Sequence, residues 1–320
     1  WSQKIGSEIQ YLQAQTQMLS LQRSVAQAKA MLSKTEIRAP FSGTIDEVFV
    51  EKGQVVSPSA QGLMRIVNLG HGDFSILAAY LVLIVAGHSN LWLGTIAVLP
   101  IMALLGYALQ RSLLNRALSL GVLSPLLITF AFSIILQNAL LKIFSSDTRS
   151  IQTESLGSAS LKIIESISVG YLPLITFFVG VILTLTLHVF LTRTQLGRAM
   201  RATSDDPTAA ELIGINNRHI YGLATGIGLF AAGIAGILFG MRTQFSPSLG
   251  PVALIFAFEA VIIGGLGSLW GTLVGGIVLG IGQSIGAQIN PAFGVLAGHL
   301  VFITILLFKP QGLLSKQRGT

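Results

Sequence analysis

The 320-residue chain has no cysteine, which excludes disulfides, thiolate metal sites and cysteine nucleophiles. Charge is scarce as well. Asp, Glu, Lys and Arg make up 10% of the chain and hydrophobic residues 52%, whereas a soluble domain carries about a quarter charged residues. The mean hydropathy is +0.72. Such a chain has little polar surface to offer water, so an ordinary soluble globule is excluded. The sequence contains no Gly-x-x-x-x-Gly-Lys-Ser/Thr phosphate loop. It has no spacing of His, Asp and Glu that suggests a metal site. Trp1–Lys34 is polar and rich in Gln, so it does not read as a signal peptide. Trp1 stands where an initiator Met would be, which suggests a fragment or a processed chain. What is abundant is glycine, with 35 residues. That is well above the usual share of about 7%, and glycine is frequent in membrane helices.

These averages cover two unlike pieces. Residues 1–62 carry 6 Lys or Arg and 5 Asp or Glu, while residues 63–320 carry 14 and 8. In the first piece, Ile5, Ile9, Leu12, Thr16 and Leu19 form one face of a coiled-coil-like helix. A second stripe from Met18 to Leu32 continues it, so residues 1–34 are expected to be a long helix. Pro40, Gly43 and Gly53 then punctuate strand-forming residues, and residues 35–62 are expected to form a small β-hairpin.

The text Leu32-x-x-Thr35-x-Ile37-Arg38-Ala39-Pro40-Phe41-x-Gly43, followed by Val48-x-Val50-x-x-Gly53-x-x-Val56, resembles the HlyD-type membrane-fusion (periplasmic adaptor) family. The resemblance covers about residues 7–60 and implies half of a lipoyl-like β-domain. No Lys stands at the tip of the hairpin turn, so a swinging-arm role is not expected.

The second piece reads as an all-α polytopic membrane protein. Apolar stretches fall near 74–87, 91–109, 122–144, 167–192, 219–241, 252–266, 269–285 and 294–308. A spanning helix needs about 20 residues. Four stretches reach that length. The segments 74–87, 252–266, 269–285 and 294–308 are short, and are expected to borrow flanking residues or to be broken or re-entrant. Counting alternate loops puts 9 basic residues on the side of 110–121, 193–218 and the tail from Lys309 onward, against 4 on the other. That bias places the 193–218 loop and the C-terminus in the cytoplasm.

Within that loop, Asp206 before Pro207 reads as a helix start, with a capping carboxylate followed by Pro at the first position. Thr208–Ile213 is expected to be a short helix ended by Gly214. The full pattern is Arg198-Ala-x-Arg201-Ala-x-x-Asp205-Asp206-Pro207-x-Ala209-Ala210-x-x-x-Gly214-Ile215. It resembles the cytoplasmic loop of branched-chain amino acid ABC transporter permeases. Three other blocks resemble the same family: Asn68-Leu69-Gly70-His71-Gly72-Asp73-Phe74, Ile263-Gly264-Gly265-Leu266-Gly267-Ser268-Leu269-Trp270-Gly271, and Phe308-Lys309-Pro310-Gln311-Gly312-Leu313. The four occur in family order across 63–315.

The resemblance implies a permease subunit of an importer in the bacterial inner membrane. Its partners would be two cytoplasmic ATPases, a second permease subunit, a periplasmic substrate-binding protein and membrane lipid, with no nucleic acid. ATP would be used by the ATPases, and this chain would bind no cofactor and have no catalytic site. The coupling residues implied are Arg198, Arg201, Asp205, Asp206, Pro207, Ala209, Ala210, Glu211 and Gly214. Related permeases carry aliphatic amino acids, other amino acids, amides or urea.

Glu259 is the only carboxylate well inside an apolar stretch, and such a group is costly in lipid. It is a substrate-pathway candidate, although an interhelical pair or a buried protonated acid is the preferred account. Asn68 and His71 are candidates too, although an interfacial turn before a helix accounts for His71 and Asp73. Gly264, Gly265 and Gly267 would break a helix and offer backbone groups at mid-membrane. His188 and His299 read as packed or snorkelling. Glycines four apart, at 222/226, 236/240, 267/271, 271/275 and 276/280, read first as ridges for close helix packing.

The permease family places a further hydrophobic helix where the adaptor-like piece stands, so a junction is expected near 57–64. With segment 74–87 running outward, residues 1–62 would be cytoplasmic, whereas adaptors work in the periplasm. The reading is therefore a permease with a non-native N-terminal extension. The alternatives are an adaptor or scaffold of a secretion system, and a non-functional chimera.

Overall fold

The computed structural model describes residues 11, 15–20, 22–23, 25 and 68–314, except 89, 119–122, 154 and 165–166. The chain divides into two compact units, Trp1–Gly62 and Leu63–Thr320. In the first unit the described residues are helical and exposed. The expected hairpin at 35–62 and the tail 316–320 lie outside the described residues.

The second unit is built from helices. They are α1 (His71–His88), α2 (Leu91–Leu109), α3 (Leu123–Phe144), α4 (Tyr171–Arg193), α5 (Gln195–Asp205), α6 (Pro207–Leu212), α7 (Asn217–Arg242), α8 (Gly250–Gly264), α9 (Leu269–Ile289) and α10 (Phe293–Phe308). A π-turn, Gln110–Leu114, and one more α-turn, Asn115–Leu118, prolong α2. Among the described residues six helical stretches are long and apolar enough to cross a membrane, and α1 and α10 are shorter apolar helices. The expectation of about eight hydrophobic helices, some of them short, matches this architecture. Segment 269–285 borrows flanking residues, as expected, and α9 runs on to Ile289. Ser268 begins it by accepting a hydrogen bond from the Gly271 N–H at 3.0 Å.

One span begins later than expected. Residues 167–170 are not helical but form β2 (Ile167–Gly170), which pairs antiparallel with β1 (Ser160–Ile164). Strand-forming residues alternate here, and Gly170 then opens α4 in an extended conformation.

The core surrounds α1. Phe74, Ile76, Ala78, Ala79, Tyr80 and Val82 are all buried. They lie all round the helix rather than on one stripe, which marks a helix enclosed by its neighbours. Those neighbours are α2, α3, α7 and α8. Close approach depends on glycine. A Cβ at Gly236 would overlap the Ser75 carbonyl, and one at Gly226 would lie 2.9 Å from the Ala103 carbonyl oxygen. The expected ridge role thus holds for the 222/226, 236/240 and 271/275 pairs. It fails for Gly276 and Gly280, which face open space, and for Gly267, which sits in a turn at φ +83.

Candidate functional site

The 193–218 loop holds two helices, α5 and α6. Thr194 caps α5, its Oγ1 accepting from the Gly197 N–H at 3.0 Å and donating to the Phe190 carbonyl at 2.7 Å. Gly197 is buried because α5 folds back onto the end of α4, and a Cβ there would collide with the backbone of Leu191. Asp206 Oδ1 accepts from the N–H groups of Thr208 (2.8 Å) and Ala209 (3.0 Å), and Pro207 is the first residue of α6. Gly214 follows at φ +88, a conformation costly for any residue with a Cβ. The capped helix read from the sequence is therefore present, one residue earlier at each end.

Of the residues expected to couple to an ATPase, Arg198, Arg201, Asp205, Asp206, Pro207, Ala209, Glu211 and Gly214 are exposed, and Ala210 is buried. Arg198 Nη1 donates to the Arg193 carbonyl at 3.2 Å, covering the C-terminal end of α4. Leu212 and Ile213 are 85% and 75% exposed on α6 and its cap. Both are large apolar side chains held away from the rest of the loop.

The loop is fastened to the spans by Asn217. Its Nδ2 donates to the Pro207 carbonyl at 2.6 Å, and its Oδ1 accepts from the buried Thr203 hydroxyl at 3.1 Å. Asn216 caps α7, accepting from the His219 N–H at 3.1 Å.

A second polar cluster lies inside the unit. α1 and α7 run parallel, and Ser75 meets Gly236. Gly236 is well along the 26-residue α7. At 1.5 Å per residue, α1 thus starts about 22 Å above the start of α7. The N-terminus of α8 arrives at the same place, with Gly250 against Gly72 and Asp73. Asp73 is 1% exposed and accepts a hydrogen bond from Ser133. Gln137 Nε2 donates to the Ser133 hydroxyl at 3.1 Å, and Thr129 Oγ1 accepts from the Leu69 N–H at 3.3 Å. Thr129, Ser133 and Gln137 stand four apart, so one face of α3 supplies all three. A carboxylate is favourable beside a helix N-terminus, and Asp73 serves two, its own and that of α8. Asp73 is therefore not at an interfacial turn, as the sequence suggested, but at a junction of two helix starts.

Asn68 Oδ1 accepts from the Gly70 N–H at 2.9 Å, and the Asn68 carbonyl lies 3.2 Å from His71 Nδ1. Asn68 and His71 thus belong to this junction. Glu259 does not. It pairs with His299 across α8 and α10, and Phe256 stacks on the His299 ring at 5.9 Å. His299 is therefore not a lone packed histidine.

Gly264, Gly265 and Gly267 lie at the opposite end of α8 from Gly250. They form a turn between α8 and α9 rather than a break part-way along a span, with Gly265 at φ +101. The Leu313 and Leu314 N–H groups donate to the Ile263 (2.8 Å) and Gly264 (2.9 Å) carbonyls, so the C-terminal segment occupies these backbone groups. The residues expected to line a pathway thus fall in three places.

Sequence reasoning passed over Ser133, Gln137 and Asn217. The first two were detectable as polar residues four apart in an apolar stretch. No local signal marks Asn217.

A model of the family described as branched-chain amino acid transport system / permease component matches residues 60–308. The chain belongs to this family. BraD of Pseudomonas aeruginosa, a high-affinity branched-chain amino acid transport system permease protein, is 29% identical over 269 residues, covering 80% of this chain and 88% of BraD. LivH of Escherichia coli K12, a permease protein with the same description, is 27% identical over 271 residues, covering 80% and 87%. LivM of the same organism is 32% identical over 143 residues, covering 43% and 33%. No solved structure matches. Membership in a permease family, with six membrane-crossing helices, makes the chain a multi-pass protein of the bacterial inner membrane. The match begins at residue 60, and these comparisons give no support to the adaptor resemblance over 7–60.

Proposed function

We propose that this chain is the transmembrane permease subunit of an ATP-driven importer for branched-chain or related amino acids. It works with two cytoplasmic ATPases, a second permease subunit and a periplasmic binding protein. ATP is used by the ATPases, and this chain binds no cofactor. One observation carries the reading: α6 is capped at both ends, presents Leu212 and Ile213 outward, and is hydrogen-bonded to α7 through Asn217. An ATPase groove that receives α6 has a rigid handle on the spans. Arg198 and Arg201 border that handle and suit anionic lipid headgroups or an acidic rim on the ATPase.

The test replaces Glu211→Ala and Gly214→Val together. The variant should still insert in the membrane, but ATP-driven uptake of radiolabelled leucine into vesicles holding the whole importer should fall. Unchanged uptake with both residues replaced refutes the assignment.

A further inference from the structure

The π-turn at Gln110–Leu114 interrupts an otherwise continuous helix from Leu91 to Leu118. It contains neither Pro nor Gly, the usual causes of a helix irregularity. Its two flanks carry amides, Gln110 and Asn115. The Asn115 N–H donates back to the Gln110 carbonyl, the five-residue bond that defines the turn. On a regular α-helix, residues five apart point about 140° away from each other. The wider π-turn brings them to one side, and Gln110 Nε2 donates to Asn115 Oδ1 at 3.0 Å.

Both amides then reach α7. Gln110, which is buried, accepts from the Thr225 hydroxyl through Oε1 at 2.8 Å. Asn115 Nδ2 donates to the Arg218 carbonyl at 3.1 Å. Arg218 follows Asn217, the residue bonded to the Pro207 carbonyl of α6. Hydrogen bonds joined by the Asn217–Arg218 backbone therefore run from the exposed loop helix, through the start of α7, into the irregular turn of a membrane-crossing helix. π-turns concentrate at functional sites, and one fixed on both flanks to a second helix can take up a change of direction without losing its bonds.

We propose that the Gln110–Leu114 π-turn is the joint that passes movement of α6 into α2, with Gln110 and Asn115 as the positioning residues. The inference rests on the permease reading above. A merely structural pair would lower the amount of folded protein. A joint sets how much substrate moves for each ATP hydrolysed.

The experiment compares Asn115→Ala and the isosteric Thr225→Val with the unaltered chain in vesicles containing the complete importer. Three quantities are read: ATPase retained on the purified complex, ATP hydrolysed, and radiolabelled leucine taken up. Retained ATPase and hydrolysis, with uptake per ATP down at least about fivefold, the lower end of typical coupling between sites, is the expected result. Uptake per ATP unchanged in both variants, or uptake and hydrolysis falling in proportion, overturns the joint. Failure of the unaltered chain to retain the ATPase overturns the permease reading, and the joint with it.

Discussion

Two glycine-to-alanine substitutions, Gly236→Ala on α7 and Gly276→Ala on α9, should move stability in opposite directions. A Cβ at Gly236 overlaps the carbonyl of Ser75, and Ser75 Cα lies just behind it. The obstacle is backbone, so no side chain can turn aside, and α1 and α7 must separate. Overpacking costs about 1–3 kcal/mol where repacking is possible, and a backbone obstacle puts this site at the top of that range. Alanine recovers about 1 kcal/mol over glycine in a helix interior, which leaves a net loss of ~2 kcal/mol. At Gly276 nothing lies within 4 Å of the added atom, so only the gain of ~1 kcal/mol remains. The two variants should therefore differ by ~3 kcal/mol. Denaturation by sodium dodecyl sulfate titrated into mild detergent micelles, followed by far-ultraviolet circular dichroism, measures the difference. Equal destabilisation by both substitutions would refute the account of which glycines seal helix contacts.

Three further outcomes follow from the same geometry. Asp206→Ala removes the acceptor for two N–H groups and should cost α6 about 1 kcal/mol; faster proteolytic cleavage between 206 and 214 checks this, and unchanged cleavage contradicts it. His299→Ala leaves the Glu259 side chain, 6% exposed, without its partner, and should cost ~3 kcal/mol, the low end for breaking a buried pair because His299 is partly exposed. The Glu259→Leu/His299→Leu double variant should recover most of that loss in the same denaturation assay. Deleting residues 1–60, which precede nearly all of the family match, should leave leucine uptake intact; loss of uptake would refute the reading of these residues as an extension the permease does not need.

The parts of the site that were legible in the sequence are those governed by neighbours along the chain. Asp206, Pro207 and Gly214 announce a capped helix because caps act over two or three residues. Membrane helices are legible for a similar reason, since each must satisfy its own backbone within lipid. The shortness of 74–87 and 252–266 pointed only to borrowed flanking residues or to broken or re-entrant helices. That α1 and α8 start against each other at Asp73 depends on tertiary contact, which hydropathy does not encode. Glu259 and His299 are forty residues apart on different helices, so no spacing rule pairs them. The π-turn at 110–114 has ordinary composition, and the residues its flanks bond, Thr225 and Arg218, are over a hundred positions away in the chain. The β1–β2 hairpin was missed because the apolar strand 167–170 runs straight into the apolar start of α4.

α7 is held at its first turn by the hydrogen bonds of Asn115 and Asn217. Further along, Gly236 and Gly240 lie directly against Ser75 and Ala79 of α1. Flexible side chains usually act as a cushion between helices, absorbing small shifts by changing rotamer. Little of that cushion exists along α7 at these contacts. In mechanical terms it is a rod with little slack, so a push at one end is delivered to α1 as displacement rather than lost as rearrangement.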